Sequence, residues 1–323
     1  MTRRLLSALL LLTFANCDHR IGTEPLPQGR TAVATGLTAE LRGVFAVSDS
    51  EVYVVGSGGT VALFDGADLE PFQIQGVSEQ DVLWDVAAAD TGEVVVIGGT
   101  PQETPLTVTL HSGAWTTLAA LDPPAAIHGQ KLMSTLHMGF ELSKRVVLAG
   151  GRQAGGYFEG VAQSYSGGQF TPMDLYSQYS LLTDVTAIGA TLYFRHDQGV
   201  LAIDSGRTDL PSVPTEVNTN VVALSEGRVK FMFGFAGDGT FHTMTDGVWS
   251  EVETGITTVT AIDGRSVNDL YAVGGFGGFH HYDGTAWTAL ESGTTEHLRD
   301  LHVLPTGHVY VVGTNGTFFV YVP

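Results

Sequence analysis

Short β-branched runs, tight glycine turns and a unit that recurs seven times predict an all-β fold for this chain. The expected architecture is a seven-bladed β-propeller of four-stranded antiparallel blades. The seventh copy stops one strand short, and a segment near the start of the chain matches what is missing. The N-terminal strand is therefore expected to close the last blade. Composition agrees: 41 glycines in 323 residues, with 43% hydrophobic and 15% charged residues, suit buried strands and tight turns rather than disorder.

The clearest copy spans 256–293. Residues 257–262 (TTVTAI) are a β-branched run suited to a buried strand. Asp263 and Gly264 begin a turn, and 270–273 (LYAV) form a second strand. Gly274, Gly275, Gly277 and Gly278 make a bend before a third strand at 279–282. Asp283 and Gly284 supply the positive φ that a hairpin needs, and 287–291 form the fourth strand. One such sheet cannot bury both faces alone, whereas stacked copies can.

The first strands of the copies read 41–47 (LRGVFAV), 83–89 (LWDVAAA), 133–139 (MSTLHMG), 182–188 (LTDVTAI), 218–224 (NTNVVAL), 256–262 and 298–304 (LRDLHVL). Second strands follow as VYVVG (52–56), VVVIG (94–98), VVLAG (146–150), LYFRH (192–196), VKFMF (229–233), LYAVG (270–274) and VYVVG (309–313). An aromatic follows most third-to-fourth turns: Phe72, Trp115, Phe170, Trp249 and Trp287. These are expected to plug the space between neighbouring sheets. Residues 31–42 (TAVATGLTAELR) align without a gap to 288–299 (TALESGTTEHLR). The offset is 288 − 31 = 257, or about 37 residues per copy over seven, a normal blade length. Residues 31–37 are thus expected to pair with the last blade and seal the ring, which leaves only short protected edges.

Ahead of the repeats, Arg3 and Arg4 precede an apolar run at 5–14 (LLSALLLLTF) that is too short to span a bilayer stably. The run ends at Ala15, Asn16 and Cys17, the sole cysteine. This segment resembles a bacterial lipoprotein signal. The resemblance implies that Cys17 is lipidated and anchors the chain on the periplasmic side or the cell surface. The alternative is ordinary secretory cleavage after Ala15, which leaves a secreted protein. The expected organisation is a signal at 1–17, a flexible tether at 18–30 and one propeller at 31–323.

With 34 acidic against 15 basic residues the net charge is −19, which argues against nucleic acid as a partner. The chain is expected to act as a monomer without cofactors. The run V-Y-A/V-V-G-x-x-G, an apolar third strand, then Asp-Gly and Trp resembles bacterial propeller repeats of the WD/YVTN and Asp-box (BNR) type. That resemblance covers about 290 residues and concerns fold, since such propellers host many activities. The sialidases among them use an arginine triad, for which Arg42, Arg152 and Arg299 are possible members here, but a Tyr–Glu nucleophile pair cannot be assigned. No catalytic residue is therefore assigned.

Candidate binding residues come from enlarged connections. Segments 100–106 (TPQETPL) and 151–160 (GRQAGGYFEG) lengthen second-to-third loops, and 121–130 and 174–180 lengthen links between copies. All four belong on one face, where Tyr157, Phe158, Tyr176 and Tyr179 offer aromatic contact area for a protein or glycan. The third position of each first strand (Gly43, Asp85, Thr135, Asp184, Asn220, Thr258 and Asp300) forms a polar ring. Asp85, Asp184 and Asp300 are its weak metal candidates, and bonding to the backbone of a neighbouring blade is the favoured reading. The sequence predicts an envelope-anchored, non-enzymatic binding protein. The alternative is a degenerate sialidase-like or glycoside-hydrolase-like propeller acting on glycans.

Overall fold

The second strand of each unit is its most apolar stretch, and burial explains why. Glu93–Gly99 and Val309–Gly313 are buried at every residue, and Glu51–Gly56 and Asp269–Gly274 at all but the first. A strand covered on both faces reads as a continuous β-branched run rather than an alternation.

The computed structural model describes residues 28–89, 92–102, 105–118, 127–134, 146–154, 157–173, 182–188, 191–196, 199–203, 207–209, 222–226, 229–235, 241–245, 248–252, 256, 258–266 and 268–323. Cys17 and the signal lie outside them. Among the described residues, hydrogen bonding sorts the strands into seven four-stranded antiparallel sheets. The first comprises Leu41–Ser48, Glu51–Gly56, Val61–Phe64 and Leu69–Phe72, and the second Val82–Ala89, Glu93–Gly99, Pro105–His111 and Ala114–Leu118. Sheets opening with Ile127–Ser134, Leu182–Ile188, Val222–Glu226 and Val259–Ser266 repeat this up-and-down order. The last takes Leu298–Val303, Val309–Gly313 and Phe318–Val322, and its outer strand is Gly29–Ala32. Opening strands pack side by side in chain order, and Leu298–Val303 packs beside Leu41–Ser48.

Aromatic side chains fill the space between sheets. Trp115 meets Tyr53 and Phe72 of the preceding sheet at 6.2 and 5.7 Å, and Trp287 meets Phe241 edge-on at 5.6 Å. Phe64 contacts Phe318 at 5.3 Å, so the first sheet and the last share a core.

Polar side chains of the opening strands tie each sheet to the next. The Asp300 carboxylate accepts the Val44 N–H at 3.1 Å, and His302 Nδ1 accepts the Ala46 N–H at 3.2 Å. Asp263 matches His302 in register and accepts the Val303 N–H at 2.9 Å. Gly43 stands where Asp300 stands one sheet back and has no side chain to offer. The next sheet's equivalent amide, Val86 N–H, instead reaches its neighbour Asp85 at 2.9 Å. A Cβ on Gly43 would come within 2.9 Å of the Asp85 backbone.

Several boundaries depart from expectation. The closing strand is Gly29–Ala32 rather than 31–37. It begins inside the segment read as a tether, and beyond it only the Val33 N–H continues the ladder, to the Phe318 carbonyl. In the third sheet the opening strand is Ile127–Ser134, not 133–139, so part of the expected 121–130 loop is strand. In the sixth it is Val259–Ser266, three residues later than expected. Thr258 adopts φ 61°, outside strand geometry, and its carbonyl instead caps the Gly275 N–H. The 151–160 connection is a long hairpin, with Ala154 paired to Tyr157.

Candidate functional site

The opening strands share one irregularity. Among the described residues, the register slips by one residue near the strand start in six of the seven sheets, leaving Arg42, Trp84, Gln130, Thr183, Thr260 and Arg299 as the extra residue. A bulge of this kind re-aims the extra side chain away from the sheet's alternation.

The face at that end of the strands is knitted from two kinds of segment, the second-to-third turns and the links between sheets. The Ser57 N–H donates to Glu40 O, the Gly59 N–H to Asp81 O, the Gly277 N–H to Glu296 O, the Thr314 N–H to His297 O and the Gly316 N–H to Ala39 O. Side chains repeat the motif: the Glu40 N–H reaches Ser57 Oγ at 3.0 Å and the His297 N–H reaches Thr314 Oγ1 at 3.1 Å.

On this face Glu40, Arg42, Trp84 and Arg299 line a cleft of about 200 Å³. Glu40 holds one arginine with each oxygen: Oε2 meets Arg42 Nη2 at 2.6 Å and Oε1 meets Arg299 Nη2 at 2.7 Å. The arginine side chains are 39 and 40% exposed and the glutamate 22%. Arg42 Nε is buried and meets no acceptor. The Trp84 ring lies on the backbone of Gly99, where a Cβ would sit 2.7 Å from it. Two guanidiniums against one carboxylate leave a local excess of one positive charge on a chain of net −19.

Beside Arg299 in sequence, His297 packs on Phe276 at 5.1 Å. Phe276 is 76% exposed and held at φ 56° in a one-turn 3-10 segment, Gly275–Gly277. A non-glycine residue in the left-handed region costs on the order of 1–3 kcal/mol and is concentrated at functional sites.

Of the residues singled out from sequence, Arg42 and Arg299 are brought together; the Arg152 side chain lies outside the described residues. Tyr157 and Phe158 start the strand Tyr157–Ser166, with side chains outside the described residues, and Tyr176 and Tyr179 fall wholly outside them. Gly43, Asp85, Asp184 and Asp300 share one register position. Thr258 does not, and Ala261 takes its place; Thr135 and Asn220 lie outside the described residues. The carboxylates of Asp85 and Asp300 are engaged by backbone amides. No group of three His, Cys, Asp or Glu that could hold a metal ion occurs among the described residues. Sequence reading missed Trp84 and Glu40. The only signal was the repeated L-R at 41–42 and 298–299 with Trp84 at the matching place.

No family model matches the chain, and no curated protein matches it. Solved structures with the same fold do. YCF48 bound to D1 peptide is 14% identical, with a TM-score of 0.66, over 92% of this chain and 98% of that one. Virginiamycin B lyase from Staphylococcus aureus is 11% identical, with a TM-score of 0.66, over 90% and 97%. The WD40 β-propeller domain of Doa1 is 13% identical, with a TM-score of 0.61, over 91% and 95%. At such identities the likeness concerns the fold, a β-propeller.

Proposed function

We propose that this chain is a non-enzymatic binding protein of the bacterial envelope, tethered through a lipid on Cys17. Its body is one closed ring of seven blades sealed by Gly29–Ala32. It takes a protein partner on the face that carries the second-to-third turns. The observation behind this reading is the cleft of Arg42, Glu40, Arg299 and Trp84 beside the exposed Phe276. Tryptophan and arginine are enriched where binding energy concentrates, and loops on a rigid scaffold commonly carry it. One propeller of the same fold is YCF48 bound to D1 peptide and another is virginiamycin B lyase, so the fold itself does not decide between binding and catalysis.

A photo-crosslinking residue at position 276, compared with one at position 285 across the strand Phe279–Tyr282, tests the face. Adducts formed at 276, absent at 285 and lost with Arg299→Ala are the expected outcome. Equal labelling at both positions, or none, refutes it. The glycan-active alternative draws on the same arginine pair but also needs two carboxyls about 5–10 Å apart; sugar released from a polysaccharide panel would favour it.

A further inference from the structure

We infer that the Glu40 carboxylate is a built-in plug in a peptide-carboxylate site, and that a ligand's carboxylate takes its place between Arg42 and Arg299. This rests on the proposed binding face and names what that face recognises. Glu40 already shows the pose, with one oxygen on each guanidinium at 2.6 and 2.7 Å. A guanidinium carries five donors in a fixed fork suited to two-point contact with a carboxylate. A single glutamate uses only part of that capacity, and the buried Arg42 Nε stays unmet.

Exchange is chemically balanced. Ligand carboxylate replaces protein carboxylate, so each arginine keeps an anion while Glu40 returns to water. Solvent already reaches all three side chains. Glu40 precedes the strand Leu41–Ser48, and its backbone is held independently by Ser57 on both its N–H and its carbonyl. Its side chain can therefore leave without unpairing the sheet.

The lining decides the ligand class. Among the described residues, the lining apart from the three charged groups is Trp84, whose ring offers an apolar face, and no hydroxyl or amide side chain there matches the hydroxyls of an acidic sugar. A peptide carboxylate next to an apolar residue fits, whether it is a chain terminus or an Asp or Glu side chain.

Titration calorimetry on the full-length chain in detergent tests this with four probes: acetyl-Ala-Leu-Leu as the free acid, the same peptide as its amide, acetyl-Ala-Glu-Leu-amide, and N-acetylneuraminic acid. Binding of the free acid or of the Glu peptide, but not of the plain amide, supports the site, and which of the two binds names the carboxylate source. Glu40→Gln should tighten that binding about tenfold, and the double variant Arg42→Gln, Arg299→Gln should weaken it at least tenfold. Equal binding of the plain amide, or Glu40→Gln without gain, overturns the proposal; a tighter fit of N-acetylneuraminic acid overturns its peptide assignment. If the double variant fails to fold, Glu40→Gln alone decides, because it leaves both arginines in place. The probes need no cellular partner, so a missing cross-link at position 276 would remove the partner reading and leave this result standing.

Discussion

A single atom of side chain decides how neighbouring sheets are joined. Asp300 and His302 present acceptors to the amides of Val44 and Ala46, and Asp263 does the same for Val303. These amides lie in the packed interior, where an unmet donor costs about 1–3 kcal/mol. Asp300→Ala should therefore lower stability by about that amount, read as a shift in the urea midpoint. Asp300→Asn keeps an acceptor oxygen and should lose less. Asp300 is legible in the sequence as part of a polar ring whose favoured reading is a bond to a neighbour's backbone, whereas Asp263 reads there as the start of a turn and instead lies inside the strand Val259–Ser266. What stayed hidden is the register. Thr258 looks equivalent to Asp300 because ITTVTAI resembles LRDLHVL, yet Thr258 takes a positive φ and the strand starts three residues later. Periodicity does not report a single left-handed residue.

The element that carries the site is a bulge. Arg42, Trp84 and Arg299 are scattered along the chain and gain a common direction only because the three opening strands that carry them slip at the same place. A bulge has no sequence signature of its own, which is why this cleft was not foreseen while the four-strand unit was. The closing strand behaves oppositely. Its existence could be read from the 257-residue offset, but its extent could not, because Phe318–Val322 offers partners to Gly29–Ala32 and then to Val33. Arg30 adds a cation–π contact, 5.1 Å over Phe319. Removing residues 28–33 should cost about 2–6 kcal/mol, taking roughly four ladder bonds at about 0.5–1.5 kcal/mol each. The loss would appear as a lower melting temperature by scanning calorimetry, and an unchanged value would show that the strand is dispensable.

At the scale of the whole molecule, buried phenols set an alkaline limit. Burial raises the pKa of Tyr53, Tyr165, Tyr271 and Tyr310, for Tyr271 to about 12 from an ordinary 10.0. A raised folded pKa favours the protonated form. Its stabilising effect is complete below the ordinary value and is lost as pH rises from there toward the folded one. Each phenolate formed on unfolding also joins a chain already at −19. The melting temperature should hold to about pH 9.5 and fall steeply by about pH 12. Tyr271→Phe should soften that fall with little change at neutral pH, as followed by circular dichroism melts across the range.

The sequence by itself determined the β class, the four-strand unit, its repetition and the N-terminal strand's place in the last sheet, because hydrophobic pattern and turn residues act over a few neighbours and recur. Tertiary structure alone decided that Glu40, Arg42, Trp84 and Arg299 share one cleft. Their meeting depends on register slips and on contacts between strands more than two hundred residues apart, and local preference carries no record of either.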